Sequence, residues 1–242
     1  MATENLKDLR PTVGSSYSYG WNLMFRYFLY ALLLTFVSMF IGTPASWVVK
    51  FSDVHFIPAL AFLNIFSLAY FLFLVGPISY GIQKVFMKMA RNEAFKLEEM
   101  FDGFNDYLNV VLANLLVSAV IGLGFVFLII PGIIFACRLA FVPYLVMEYK
   151  MDAVQAFEKS WRMTKGHGWT IFGMGLLAIP VAILGLLVLG IGIIFSAMWI
   201  SLAFAAIYVA VVPKPNGEPE DKAVEEPKSE ENKNTQENKD KE

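Results

Sequence analysis

Charged residues, cysteine and histidine are all scarce in this sequence. Only 17% of the 242 residues are charged, whereas 57% are apolar, and the mean hydropathy is +0.57. A soluble domain of this length needs more charge to cover its surface. The single cysteine, Cys137, excludes an intramolecular disulfide and a Cys-x-x-Cys zinc site, and His55 and His167 lie far apart in the sequence. The composition predicts a membrane protein with no metal, no cofactor and no enzymatic activity.

The few charges are also unevenly distributed along the chain. Residues 213–242 contain six lysines and ten acidic residues but no aromatic residue, leucine or isoleucine. Such a segment cannot bury enough apolar surface to offset its ordering entropy, so a disordered acidic tail is predicted. Residues 1–212 contain only thirteen basic residues, which are too scattered to form a continuous track for nucleic acid.

Apolar runs of membrane-spanning length occupy most of the remaining sequence. A helix needs about 20 mainly apolar residues to cross the hydrocarbon core. The predicted fold is an all-α polytopic membrane protein, with about six transmembrane helices arranged as three antiparallel hairpins. Residues 1–20 form an N-terminal cytoplasmic segment and residues 21–212 form the transmembrane domain, whose predicted spans are 23–42, 56–76, 108–130, 133–149, 169–189 and 193–212.

Two basic loops indicate the topology, because lysine and arginine near the ends of spans are retained in the cytoplasm. Each of the segments 81–107 and 150–168 contains four basic residues, whereas the other connections together contain only Lys50. Six spans with both termini in the cytoplasm place both basic loops on one side. Within this topology, Pro131 and Gly132 form a tight outer turn between the third and fourth spans.

Both basic loops contain aromatic residues at helical spacing. Phe101 is followed by Phe104 in the first loop, and Phe157 is followed by Ser160 and Trp161 in the second. Acidic and basic residues occupy the opposite faces, so each loop is predicted to form a short amphipathic helix at the membrane interface. These helices are candidate contacts for lipids and for partner membrane proteins.

Four polar residues within or beside the spans are candidate functional positions. Arg138 interrupts an apolar run, where an unpaired guanidinium costs at least a few kcal/mol. It either extends to the outer interface or makes a structural hydrogen bond, or else it binds an anionic group. Glu148 is interpreted as an interfacial residue that contacts the following basic loop. Asn64 and Asn114 are expected to form hydrogen bonds between helices.

The segment from Ile130 to Gly173 resembles a known group of membrane proteins. The matching residues are Ile130, Pro131, Gly132, Arg138, Pro143, Glu148, Ala156, Ser160, Trp161, Thr164 and Gly166. This pattern is similar to that of the poorly characterised bacterial proteins related to YciC, and to the membrane domain attached to some glycerophosphodiester phosphodiesterases. The resemblance implies a six-helix domain of the bacterial inner membrane, usually without an assigned activity. Hydrolase activity is not carried over, because no catalytic barrel is expected in a polar segment of thirty residues.

Two functions are compatible with these features. The first is a non-enzymatic structural or accessory component that organises protein or lipid partners through the loops 81–107 and 150–168. The spans contain few ionisable residues, whereas transport of charged solutes usually requires such groups near the midplane. The alternative is a small transporter or exporter of lipidic or apolar solutes, with a cavity lined by Asn64, Asn114, Arg138 and the fifth span.

Overall fold

The computed structural model describes residues 10–50, 66–187 and 192–212, with the backbone alone described for residues 43–50. Every regular element in these ranges is helical. A 3-10 helix, Leu97–Phe104, lies between α3 and α4, and α3 contains a π-helical turn at Phe71–Val75. The α-helices are α1 (Val13–Arg26), α2 (Phe28–Lys50), α3 (Phe66–Ala90), α4 (Tyr107–Phe127), α5 (Ile129–Leu139), α6 (Val142–Tyr149), α7 (Ala153–Met163), α8 (Gly168–Leu187) and α9 (Gly192–Val211).

The described helices include five that are long and apolar enough to cross a membrane: α3, α4, α5 with α6, α8 and α9. A sixth is obtained if α1 and the first part of α2, which meet at a bend of 102°, are counted together. The predicted all-helical class with five or six such helices is confirmed. The arrangement as three hairpins stays a prediction.

The second predicted span differs from the helix found there. The first ten positions of the interval 56–76 lie outside the described residues, and α3 continues through the predicted loop as far as Ala90. The extension is helical because it is amphipathic. Its apolar side, which includes Val85 and Met89, is fully buried, while Lys84 and Lys88 occupy the other side.

The connection between α4 and α5 also differs from the prediction. Leu128 is the extended residue that separates the two helices, and Pro131 and Gly132 lie inside the first turn of α5 instead of forming the turn. Proline is tolerated there because its missing N–H would have no intrahelical acceptor. The glycines allow close contact: a Cβ at Gly124 would lie 2.9 Å from the Cα of Gly132.

The fourth predicted span, 133–149, is broken near its middle. α5 ends at Leu139 and α6 begins at Val142, with Pro143 in the first turn of α6. Proline removes a backbone donor and clashes with the preceding helical turn, which explains why one helix does not continue through this sequence. The break leaves Arg138 at the end of α5 and Glu148 near the end of α6.

The predicted N-terminal segment, residues 1–20, includes the first part of a helix that continues into the predicted transmembrane domain. Helix α1 begins after Thr12, whose hydroxyl accepts a hydrogen bond from the Ser15 N–H. It packs closely on α9, since a Cβ at Gly20 would lie 2.9 Å from the backbone nitrogen of Ala203. The Tyr19 hydroxyl donates to the carbonyl of Ala90 at 2.8 Å, so α1 also contacts the end of α3.

Candidate functional site

A buried ion pair joins three helices at one end of the bundle. Arg91, directly after α3, donates a hydrogen bond from Nη1 to Glu148 Oε1 on α6. The Tyr208 hydroxyl on α9 donates to the other carboxylate oxygen of Glu148. The side chains of Arg91 and Glu148 are only 3% and 6% exposed. We call these three residues the Arg91 cluster, and the end of the bundle that contains them the Arg91 end.

The environment of the Arg91 cluster maintains its charges. Burial alone would lower the pKa of Arg91, but the hydrogen bond to Glu148 and its negative charge outweigh this effect and raise the pKa above its ordinary value. The guanidinium also lies 5.8 Å from the centre of the Tyr208 ring, which favours a cation. Arg91 is therefore a permanently charged partner for Glu148.

Helix α1 is connected to the same end through Asn92. This residue has a left-handed backbone, with φ of 56°, which asparagine adopts more readily than most residues. Its side-chain oxygen accepts from Arg26 Nη1 at 2.8 Å, and its amide donates to the Tyr19 hydroxyl at 3.1 Å. The end of α3 thus contacts α1, α6 and α9.

The backbone of Arg138 is held by two hydroxyl groups from α7 and the turn after it. Because α5 ends here, the carbonyl of Arg138 is available to side chains. Ser160 Oγ donates to it at 2.7 Å, and Thr164 Oγ1 lies 3.3 Å from it, although the shorter contact of the Thr164 hydroxyl is to the Ser160 carbonyl at 2.8 Å. Both hydroxyl-bearing residues are fully buried. This contact gives Ser160 a structural role that the sequence did not indicate, and it brings together Arg138, Ser160 and Thr164.

The guanidinium of Arg138 has no carboxylate partner among the described residues, unlike that of Arg91, although each has one buried nitrogen without a hydrogen bond, Nη1 in Arg138 and Nη2 in Arg91. It lies over the ring of Trp161, with 5.5 Å between Cζ and the ring centre. Its Nη1 is buried and has no hydrogen-bond partner within the described ranges, and no ion pair involves Arg138 there. The guanidinium lies against Trp161, and the predicted extension to the outer interface stays a prediction.

Arg138 lines a groove of about 560 Å³ between α5 and α8. The walls are almost entirely apolar. The groove begins at the turn Gly166–Gly168 and follows α5 toward its first residues, with Ile130, Ile133, Ile134, Cys137, Trp169 and Phe172 along its sides. Arg138 is the charged residue in this lining.

The first basic loop forms a rigid aromatic surface. Its 3-10 helix is attached to α3 by Lys84–Asp102 at 2.6 Å and by Lys88–Glu99 at 2.7 Å. Two glycines allow backbone contact as well, since a Cβ at Gly81 would lie 2.0 Å from the carbonyl oxygen of Met100, and one at Gly103 the same distance from that of Pro77. Phe101 and Phe104, which we call the aromatic ledge, remain 49% and 38% exposed.

The aromatic residues of the second loop contact the protein itself. Phe157 stacks on Trp161 with 6.2 Å between ring centres, and Trp161 contacts Phe135 of α5 at 5.8 Å. Both Phe157 and Trp161 are half-buried. The apolar face of α7 is therefore used against the protein's own helices α4, α5 and α6, unlike the aromatic ledge.

Asn114 lies apart from the two arginines, against α3. Asn64 lies outside the described residues. Asn114 faces α3 at the end of the π-helical turn, where a Cβ on Gly76 would lie 2.6 Å from Asn114 Nδ2. This nitrogen is buried without a partner in the described part of the chain. The Tyr107 hydroxyl donates to the carbonyl of Phe73 in the same turn at 3.1 Å.

A second cavity, of about 490 Å³, lies among α2, α3, α4, α6 and α9. Its polar lining includes Thr35, Ser38, Ser79, Gln83 and Ser201, and none of its lining residues is charged. The hydroxyl of Thr35 is buried without a partner within the described residues. Neither Asn114 nor Arg138 lines this cavity, so the solute pathway predicted from the sequence is not assembled from those residues.

The sequence interpretation missed Arg91 and Tyr208 as members of a site. In the sequence, Arg91 is only one of four basic residues in a loop. Glu148 pairs with this preceding loop and also interacts electrostatically with Lys159 of the following loop. A usable signal was present: a glutamate at the end of an apolar span requires a cation, and Arg91 directly follows the buried face of α3.

Comparison with known proteins gives a family without an assigned activity. A family model described as a domain of unknown function (DUF7847) matches residues 97–220. That range starts at the 3-10 helix and includes Arg138, Glu148 and Tyr208, but not Arg91. No curated protein and no solved structure matches the chain, and the resemblance to the YciC-related proteins stays a prediction. Because the match covers slightly more than half of the sequence, the chain belongs to the DUF7847 family.

Proposed function

We propose that this protein is a non-catalytic accessory component of the bacterial inner membrane, which organises protein or lipid partners through the aromatic ledge. The observation that carries the proposal is the rigid attachment of the ledge. Two ion pairs and two close glycine contacts hold the 3-10 helix against α3, while Phe101 and Phe104 stay exposed. Exposed aromatic side chains on a fixed backbone lose little conformational entropy when they bind.

The arrangement of the acidic residues also supports a binding role for the ledge. Asp102 and Glu99 are directed toward the lysines of α3. The outward side therefore presents Phe101 and Phe104 together with one exposed carboxylate, Glu98, which lies one 3-10 turn before Phe101. Phe104 stacks on Tyr107 with 6.1 Å between ring centres, which extends the aromatic surface to the start of α4.

The proposed topology places the Arg91 end in the cytoplasm, with both termini on that side. Contacts between the two basic loops support this placement. Arg91 of the first loop pairs with Glu148, which directly precedes the second loop, and Asn109 Nδ2 donates to the carbonyl of Met151 at 2.6 Å. The two loops therefore meet at one end of the bundle, as retention of basic residues on one side of a membrane requires.

Photo-crosslinking in native membranes tests the accessory function. A photoreactive residue at Phe104 is expected to give discrete adducts with a membrane protein or with lipid. The double variant Phe101→Ala, Phe104→Ala should lose co-purification of that partner. The matched control is Phe157→Ala, which removes an aromatic residue directed toward the protein's own helices. Absence of any adduct, or retention of the same partners by the ledge variant, would refute the proposal.

The second cavity, of about 490 Å³, favours a second candidate function, a transporter of small solutes. Its hydroxyl and amide lining without charge is suited to an uncharged solute with a few hydrogen-bonding groups. For this function, Gln83→Leu should abolish an efflux or accumulation phenotype while the protein still reaches the membrane. Exposed Ser118→Ala on α4 is the control, and an unchanged phenotype in the Gln83 variant would exclude the cavity as the pathway.

A further inference from the structure

We infer that the groove between α5 and α8 binds an anionic phospholipid, with its phosphate at Arg138 and one acyl chain along α5 toward Ile130. The inference rests on the proposed membrane placement and adds a ligand and a site to the proposed function. The aromatic ledge is not part of this groove, so variants can test the lipid site and the proposed accessory function separately.

The unsatisfied guanidinium identifies an anion as the ligand. Arg138 Nη1 is buried and has no hydrogen-bond partner among the described residues. Trp161 covers one face of the group but supplies no negative charge. A phosphate offers several oxygens to the planar donors of arginine, which form paired hydrogen bonds with that geometry. A phosphate diester therefore supplies both the negative charge and the hydrogen-bond acceptors that the guanidinium of Arg138 lacks.

The neighbouring turn adds to the attraction for a negative group. Gly166 and Gly168 line the same end of the groove, and a Cβ at either position would meet nothing within 4 Å. Gly168 begins a helix of 20 residues, whose first N–H groups lack intrahelical acceptors and lie at the positive end of the helix dipole. Lys165 is exposed immediately before this turn. A phosphate at Arg138 thus has an electropositive environment with open space.

The rest of the groove indicates that the anion is carried by a lipid. Ile130 and Ile134 are 71% and 48% exposed, and Trp169 is 86% exposed, so the walls open sideways where the surrounding bilayer would lie. From Ile130 to Arg138 the helix rises about 12 Å. The hydrocarbon of one leaflet is about 15 Å thick, so an acyl chain has a matching apolar path. A free phosphate ion would leave this apolar path unused.

Native mass spectrometry of the full-length protein, released from nanodiscs, tests the site. The nanodiscs contain phosphatidylcholine with phosphatidylglycerol as a minor component. Wild-type protein is expected to retain phosphatidylglycerol in preference to phosphatidylcholine. Arg138→Gln should reduce that preference about tenfold or more, because a charge-assisted hydrogen bond is lost. Arg138→Lys should give an intermediate result, since it keeps the charge but not the paired donors.

Two further variants address charge and folding. Arg162→Gln removes one exposed positive charge from α7 and should leave the preference unchanged. Ile134→Trp keeps Arg138 but fills the groove, and it should also lose phosphatidylglycerol, even if the Arg138 variants do not fold. Equal retention of both lipids by wild-type protein, an unaffected preference in Arg138→Gln or Ile134→Trp, or displacement of the lipid by inorganic phosphate alone would overturn the inference.

The ledge variant separates this result from the proposed function. Phe101→Ala, Phe104→Ala should retain phosphatidylglycerol normally, whereas Arg138→Gln should retain the crosslinked partner at Phe104. Loss of lipid in the ledge variant would show that the groove is not an independent site. Loss of the partner in the ledge variant with unchanged lipid preference in Arg138→Gln would leave the accessory function intact and reject the groove alone.

Discussion

Arg91 and Arg138 both lie in apolar surroundings, but they differ in whether a carboxylate neutralises their charge. Arg91 has a carboxylate partner, Glu148, and the pair is almost completely removed from solvent. Arg138 has an aromatic ring beside it but no carboxylate within ion-pair distance in the described ranges. A buried charge costs several kcal/mol unless it is compensated. The fold compensates the charge of Arg91, whereas the partly exposed charge of Arg138 is left for solvent or an anionic ligand.

The break between α5 and α6 explains how one span can contain both arrangements. Arg138 and Glu148 lie ten positions apart in the sequence, on either side of Ala140 and Phe141. Glu148 faces the interior toward Tyr208, while Arg138 lies against α7 and opens to the groove. The break between α5 and α6 therefore separates Glu148, whose charge is paired within the fold, from Arg138, whose charge is available for binding.

The largest effect is expected from breaking the Arg91 cluster. Glu148→Gln leaves the buried guanidinium without a countercharge, so it should lower the free energy of unfolding by about 3–5 kcal/mol. Arg91→Met combined with Glu148→Met should recover most of this loss, because removal of both charges also removes the desolvation cost. Thermal unfolding in mild detergent measures both variants. A double variant as unstable as Glu148→Gln would contradict this account.

The peripheral ion pairs provide the control for that experiment. Lys84 and Asp102 are 20% and 29% exposed, so solvent screens their interaction more strongly. Asp102→Asn should change the free energy of unfolding by about 1 kcal/mol or less. A similar loss in Asp102→Asn and Glu148→Gln would mean that burial does not distinguish the two pairs.

The sequence predicted the all-helical class and helices of membrane-spanning length, because lengths and apolar periodicity are local properties. It located Arg138 and Glu148 as unusual residues, since each stands in or beside an apolar run. It did not predict that Glu148 pairs with Arg91, because 57 positions separate them and several other cations lie nearer in the sequence. Pairing of charges depends on which helices meet at one end of the bundle, and no local pattern encodes that choice.

The sequence also did not predict where the turn between α4 and α5 lies or what covers the aromatic residues of the two loops. The turn was assigned to Pro131 and Gly132 because these residues commonly form turns, yet both fit the first turn of α5. Phe157 and Trp161 had the same apparent periodicity as Phe101 and Phe104, but only the latter pair remains largely exposed. Amphipathic spacing identifies a face that will be covered and does not reveal whether the protein, a partner or lipid covers it.

A smaller effect is expected at the hydroxyl groups that support Arg138. Ser160→Ala combined with Thr164→Val leaves the carbonyl of Arg138 buried without a donor, which should lower the free energy of unfolding by about 1–3 kcal/mol. Ser160→Ala alone should account for most of this loss, because the Thr164 hydroxyl has a shorter contact, 2.8 Å, to the carbonyl of Ser160. Exposed Ser118→Ala is the control and should be neutral. If the break positions Arg138 for an anion, the double variant should also weaken retention of phosphatidylglycerol. Loss of stability with unchanged lipid retention would mean that Ser160 and Thr164 support the helix end without orienting the guanidinium.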